Sequence, residues 1–181
     1  MKNFVFTLTL FCVSFLTIQS AKSQDKTSRS VIYAELGGPG LITSINFDSR
    51  FKSERLGFGY RIGMGFCFGS FDEPARPSDE YGYNSVLRSY YTIPLGLNYV
   101  FGKEDSAHAF EIGAGTTVLT RKVSLFYYEV AKPGYFIGHL NFMYRIMPVD
   151  GGFAFRVGLT PIIGTSGDLF PMVGVSFGYA F

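Results

Sequence analysis

The feature that most restricts how this chain can fold is a period-two alternation between one bulky, apolar face and one small or polar face. In the last segment Val173, Val175, Phe177, Tyr179 and Phe181 share one face, and Gly174, Ser176, Gly178 and Ala180 the other. Leu56, Phe58, Tyr60, Ile62, Met64, Phe66 and Phe68 likewise alternate with Gly57, Gly59, Arg61, Gly63, Gly65 and Cys67. Tyr91, Ile93, Leu95, Leu97, Tyr99 and Phe101 oppose Thr92, Pro94, Gly96, Asn98 and Val100. Phe153, Phe155, Val157 and Leu159 stand against Ala154, Arg156, Gly158 and Thr160. Segments near 31–37, 41–51, 107–119 and 135–147 repeat the pattern less cleanly. Successive side chains of a strand point to opposite faces, so the expectation is eight strands.

The chemistry of the two faces decides the kind of sheet. A soluble barrel would turn its bulky residues inward and polar ones to water. Here the second face is too small and Gly-rich for a solvated surface. Gly, Ser and Ala suit the crowded lumen of a small barrel, while Phe, Leu, Ile and Val suit acyl chains. In lipid a sheet must close, because an open edge leaves amides unpaired. The expected fold is therefore all-β: a closed antiparallel eight-stranded transmembrane β-barrel, an up-and-down meander in the cell outer membrane, with lipid as its first partner.

Composition agrees. The 181 residues include 22 Gly, 20 Phe and 12 Tyr, and only 17% are charged. That argues against a disordered chain and against an ordinary soluble enzyme, in which about a quarter of residues carry charge. Although 47% of residues are hydrophobic, no apolar run after residue 21 exceeds four. A membrane helix needs roughly 20 in a row. Residues 1–23 read as a cleaved export signal: Lys2, an apolar stretch from Phe4 to Ile18, then Ala21-Lys22-Ser23 before Gln24. Cys12 follows Phe11, where lipoprotein processing needs a small residue. One domain, 24–181, remains. Lys2 and Lys22 account for the formal net charge of +2, so this domain is neutral and no nucleic-acid partner is expected. Cys67 is its sole cysteine, which excludes an intramolecular disulfide and a multi-cysteine metal site. Neither metal nor cofactor is expected.

Connection lengths suggest an orientation. Lys52-Ser53-Glu54, Gly102-Lys103-Glu104-Asp105 and Pro148-Val149-Asp150-Gly151 form short polar turns; the alternate connections at 69–89, 120–134 and 164–170 are longer. Barrels of this kind have short periplasmic turns and longer outer loops, so both termini are expected in the periplasm. Only Gly37-Gly38-Pro39-Gly40 is short where an outer loop belongs.

Several pieces carry a family likeness: Glu35-Leu36-Gly37-Gly38-Pro39-Gly40, Arg61-Ile62-Gly63-Met64-Gly65, and Ile93-Pro94-Leu95-Gly96-Leu97-Asn98-Tyr99. Glu111-Ile112-Gly113-Ala114-Gly115, the stretch from Gly151 to Gly158, and the ending Gly174 to Phe181 add to them. In this order the chain resembles the small outer-membrane β-barrel proteins of Bacteroidota, many of which have no assigned activity. The resemblance implies fold and location, and it brings no catalytic residues. It also implies that Phe181 is the signal read by the barrel-assembly machinery during biogenesis.

Strand parity turns Glu35, Arg61, Glu111, Arg145 and Arg156 inward, with Asn46, Asn98 and Asn141. Charges in a narrow lumen are costly unless paired, so a Glu–Arg network should cross the interior. It serves either as a structural plug or as the lining of a narrow channel for ions or small solutes. A lipid-modifying enzyme needs a nucleophile with His and an acid near the outer leaflet. His108 points outward near a periplasmic strand end; His139 faces inward near the outer end, with Tyr135 and Asn141 close in sequence. Ser85 or Ser166 would have to reach it from outer loops. The Gly-x-Gly pairs at 57/59, 63/65 and 113/115 lack a third Gly and a following helix, so they are lumen-facing small residues. Asp72, Glu73, Asp79 and Glu80, with Arg76 among them, read as a solvated outer loop. Leu125, Phe126, Tyr127 and Tyr128 lie in an outer connection yet read as strand. They form either a cover over the barrel mouth or an edge that another chain could pair with. The leading functional expectation is a non-enzymatic barrel, structural or accessory to a larger outer-membrane assembly.

Overall fold

The computed structural model describes residues 28–74, 83–123, 134–164 and 167–181, with the backbone alone at 70–74, 83–87 and 122–123. The segment 1–23 expected to be an export signal, the stretch Leu125 to Tyr128, and Arg76, Asp79, Glu80 and Ser166 lie outside these residues, as do the side chains of Asp72, Glu73 and Ser85.

Ten strand segments follow in order: β1 (Ser30–Gly37), β2 (Thr43–Arg50), β3 (Gly57–Pro74), β4 (Tyr83–Gly102), β5 (His108–Val123), β6 (Gly134–Ile146), β7 (Gly152–Leu159), β8 (Ile162–Ile163), β9 (Leu169–Phe170) and β10 (Val173–Ala180). All pair antiparallel; β1 joins β10 as well as β2, and β5 joins β6, which closes the sheet. The ten segments amount to eight strands. Leu159 faces Phe142 and Ile162 faces His139, three residues further along each chain, so β8 continues β7 in unchanged register. In the same way β9 continues into β10: Ile162 faces Phe170, and Leu159 faces Val173. The breaks fall at Pro161 and Pro171. Leu140 still donates to the Pro161 carbonyl at 2.9 Å, but Pro161 has no N–H with which to return the bond. The fold is a closed eight-stranded antiparallel meander.

Inside-outside alternation follows the sequence row by row. Ile32, Leu36, Ile45, Phe58, Ile62, Met64, Leu97, Ile112, Phe142 and Phe177 are exposed on the outer wall. The inward rows are small because the neighbouring strand lies against them. A Cβ at Gly115 would sit 2.1 Å from the Leu95 oxygen and 2.6 Å from His139 Nε2. Both described ends lie at one end of the barrel, where Ser30 and Phe181 exchange backbone bonds of 3.1 and 2.8 Å. We call this the terminal end and the opposite one the hairpin end.

Three connections at the hairpin end differ from the sequence expectation. The connection at 69–89 is mostly not loop: β3 and β4 stay paired from Phe66↔Tyr91 to Pro74↔Tyr83. Asp72-Glu73-Pro74 looks like loop by composition, but pairing with a neighbour overrides it. Likewise 164–170 is partly strand, because β9 lies within it. Gly37 to Gly40, read as a short outer loop, instead folds into the barrel as a buried 3-10 turn at Gly38–Gly40. Gly37 (φ 69°) and Gly38 (φ 67°) supply the left-handed backbone for this reversal. A Cβ on Gly38 would stand 2.8 Å from the Glu35 carboxyl carbon, so the turn packs directly on a lumen charge.

Candidate functional site: a sealed charged lumen

The inward rows of six strands meet in one charged layer. β1 brings Glu35, β2 Asp48 and Arg50, β3 Arg61, β5 Glu111, β6 Arg145 and β7 Arg156, every one buried. They form a chain in which each carboxylate sits between two guanidiniums. Glu35 pairs with Arg61 and lies 3.9 Å from Arg156. Arg156 Nη2 donates to Glu111 Oε1 at 2.8 Å and Oε2 at 2.9 Å. Arg145 Nη1 donates to Glu111 Oε2 at 2.9 Å, and its Nη2 lies 3.2 Å from Asp48 Oδ1. Asp48 in turn holds Arg50 at 2.5 Å. Neutral groups complete the layer. Asn46 Oδ1 accepts from Arg61 Nη2 at 3.0 Å, Ser176 donates to Glu35 at 3.0 Å, and Asn98 bridges Asp48, Glu111 and Arg50. Beneath lies the Tyr33 ring, with the Arg156 guanidinium 4.3 Å and that of Arg61 5.4 Å from its centroid. These pairings offset much of the cost of burying charge, although Arg61 Nη1, Arg145 Nε and Arg156 Nε and Nη1 are left without a hydrogen-bond partner.

Apolar layers close both ends. Toward the hairpin end Leu41, Cys67, Tyr90, Leu119, Ile137 and Ile162 form one buried cluster, with Ile42 and Met172 packed on it. The inward turn lies against the same region. Its carbonyls are taken by Thr117, donating to Pro39 O at 2.8 Å, and by Thr92, donating to Gly40 O at 3.1 Å. Toward the terminal end Val31, Tyr33, Met147, Ala154 and Ala180 form a second cluster. Arg55 sits beside it, fully buried although it belongs to the β2–β3 turn. Its guanidinium donates to the carbonyls of Met147 (3.1 Å), Lys103 (2.7 Å), Glu104 (3.1 Å) and Ser106 (2.5 Å). One cation thereby ties the three turns of the terminal end together.

The five charges singled out by parity are thus together in one network. Asp48, Arg50 and Arg55 were missed. Asp48 and Arg50 share the parity of Asn46, which was the available signal; Arg55 had none, since a turn arginine reads as solvated. His139 is buried, its Nδ1 3.3 Å from the Thr117 hydroxyl, whereas His108 is exposed and bonds Tyr144 at 2.5 Å. The backbone of Phe181 pairs with Ser30, and its side chain is exposed. Cys67 is buried, its thiol donating to the Gly40 carbonyl at 3.2 Å. Among the described residues, no three His, Cys, Asp or Glu side chains are grouped to hold a metal.

No family model matches the chain, and no curated protein does. Among solved structures it is similar to the N-terminal β-barrel domain of Pseudomonas aeruginosa OprF. The TM-score is 0.49 at 10% identity, covering 87% of this chain and 98% of that one.

Proposed function

We propose that this chain is an outer-membrane β-barrel, closed by its own side chains, that acts as a structural or accessory subunit of an envelope assembly. The observation that carries the reading is the charged layer sealed between two apolar clusters. A lumen filled this way serves neither as a conduit nor as a reaction chamber, which leaves its surfaces to carry function. The exposed apolar rows of the wall support the membrane setting, since an apolar surface of that extent in water would drive association. An enzymatic role is disfavoured by the placement of His139. The Thr117 hydroxyl beside it is committed to the Pro39 carbonyl, and both are buried away from any lipid ester.

The surface best suited to a partner is the β3–β4 hairpin. β3 pairs with β2 only as far as Phe66, and β4 with β5 only from Thr92, yet β3 and β4 continue together to Pro74 and Tyr83. Thr120 of β5 still bonds the Tyr91 backbone, but among the described residues no further strand is laddered onto 70–74 or 83–87, and sheet edges of this kind are templates for strand addition. Affinity purification from native membranes tests the role. A defined partner should accompany the full chain and be lost when residues 70–87 are replaced by a two-residue turn. Recovery of the lone barrel in both cases would remove the accessory reading.

A further inference from the structure

We propose that the lumen binds one small monovalent anion of the halide class, held by Arg61 and Arg156 beside Tyr33. The charge chain runs Arg61, Glu35, Arg156, Glu111, Arg145, Asp48, Arg50, so it begins and ends on arginine. Within this charge chain four guanidiniums therefore meet three carboxylates, a surplus of one positive charge; the fifth buried arginine, Arg55, lies outside it among the turn carbonyls of the terminal end. Arginine does not shed its proton in proteins, so the surplus cannot be relieved by titration. Nor can bulk counter-ions screen it through the apolar clusters at either end.

The donors that would hold the ion are identifiable. Arg61 Nη1 and Arg156 Nε and Nη1 are buried without a hydrogen-bond partner, as is the Tyr33 hydroxyl. These two arginines share the Glu35 carboxylate and the Tyr33 ring, so their free N–H groups belong to one neighbourhood. At the other end of the chain Arg50 spends its donors on Gly57 O, Asp48 and Asn98. Water could satisfy the free N–H groups but would leave the charge uncompensated; a small anion does both. The surplus of one sets the valence, and the crowded lumen sets the size.

The test uses the barrel refolded from urea in detergent, so that the ion can enter before the lumen closes. Crystals grown in sodium bromide should show an anomalous peak in contact with the Arg61 and Arg156 guanidiniums. In solution, halide at ten times its Kd should lower the unfolding equilibrium constant about elevenfold relative to sodium gluconate at equal ionic strength. Arg61→Gln, which removes the surplus charge, should abolish that difference. Should the variant fail to fold, the wild-type anomalous map and salt comparison decide alone. A lumen with no anomalous signal and equal stability in the two salts would overturn the proposal, as would bromide found only on the surface.

Discussion

Replacing Glu111 by Ala should lower the unfolding free energy by about 3–5 kcal/mol, because it strips a buried carboxylate from two buried arginines at once. Glu111 is the centre of the charge chain: Arg156 lies on its two oxygens at 2.8 and 2.9 Å, and Arg145 on one of them at 2.9 Å. Neither arginine can escape to solvent, since each is buried and rooted in a paired strand. The exposed Glu104, on the β4–β5 turn, provides the contrast: Glu104→Ala should stay within about 0.5 kcal/mol. Urea unfolding in lipid vesicles, followed by fluorescence or gel mobility, measures both. A second substitution separates charge from packing. Glu111→Ala combined with Arg156→Met returns the lumen to its original net charge and should recover part of the loss. Equal stability of Glu111→Ala and the parent would mean that the layer is solvated rather than sealed.

Gly178→Val should prevent the barrel from closing. Gly178 faces Tyr33 across the β1–β10 seam, where the sheet closes on itself. A Cβ there would lie 2.2 Å from the Ile32 oxygen, 2.5 Å from Tyr33 Cβ and 2.7 Å from Tyr33 Cα. Most of these atoms are backbone of a paired strand and cannot rotate aside, so the cost should exceed the ~1–3 kcal/mol usual for overpacking. The same enlargement on the outer face is the control: Ala34 is exposed in the neighbouring pair with Phe177, and Ala34→Val should fold normally. Heat-modifiable gel mobility after refolding reports the outcome. A shifted, folded band for Gly178→Val would show that the inward rows are less crowded than the structure has them.

These two positions also show what was legible in the sequence. Gly178 and Glu111 could be turned inward from parity alone, because a strand obliges every second residue to share a face. That rule carried the eight strands, the closed meander and the faces of Glu35, Arg61, Arg145 and Arg156. It failed where charge or proline masked the alternation. Asp48 and Arg50 follow Asn46 on the inward row, but they run straight into the exposed Phe51 to Glu54 turn and look like part of it. Pro74 is itself paired, opposite Tyr83, and Pro161 and Pro171 punctuate strands that the pairing nevertheless carries past them. Arg55 and the Gly38–Gly40 turn were illegible for a different reason. Whether a turn points to solvent or folds back into a lumen depends on partners far away in sequence, here Met147 and Ser106 for one and Thr92 and Thr117 for the other.

Both variants bear on stability, whereas the functional account rests on the lumen being sealed. Recording from planar bilayers containing the pure, refolded protein tests this most directly. The layered interior predicts a silent membrane under applied voltage, with no discrete openings in chloride or in gluconate. Reproducible unitary conductance that changes in Arg61→Ala would place an open path through the charged layer and contradict the account.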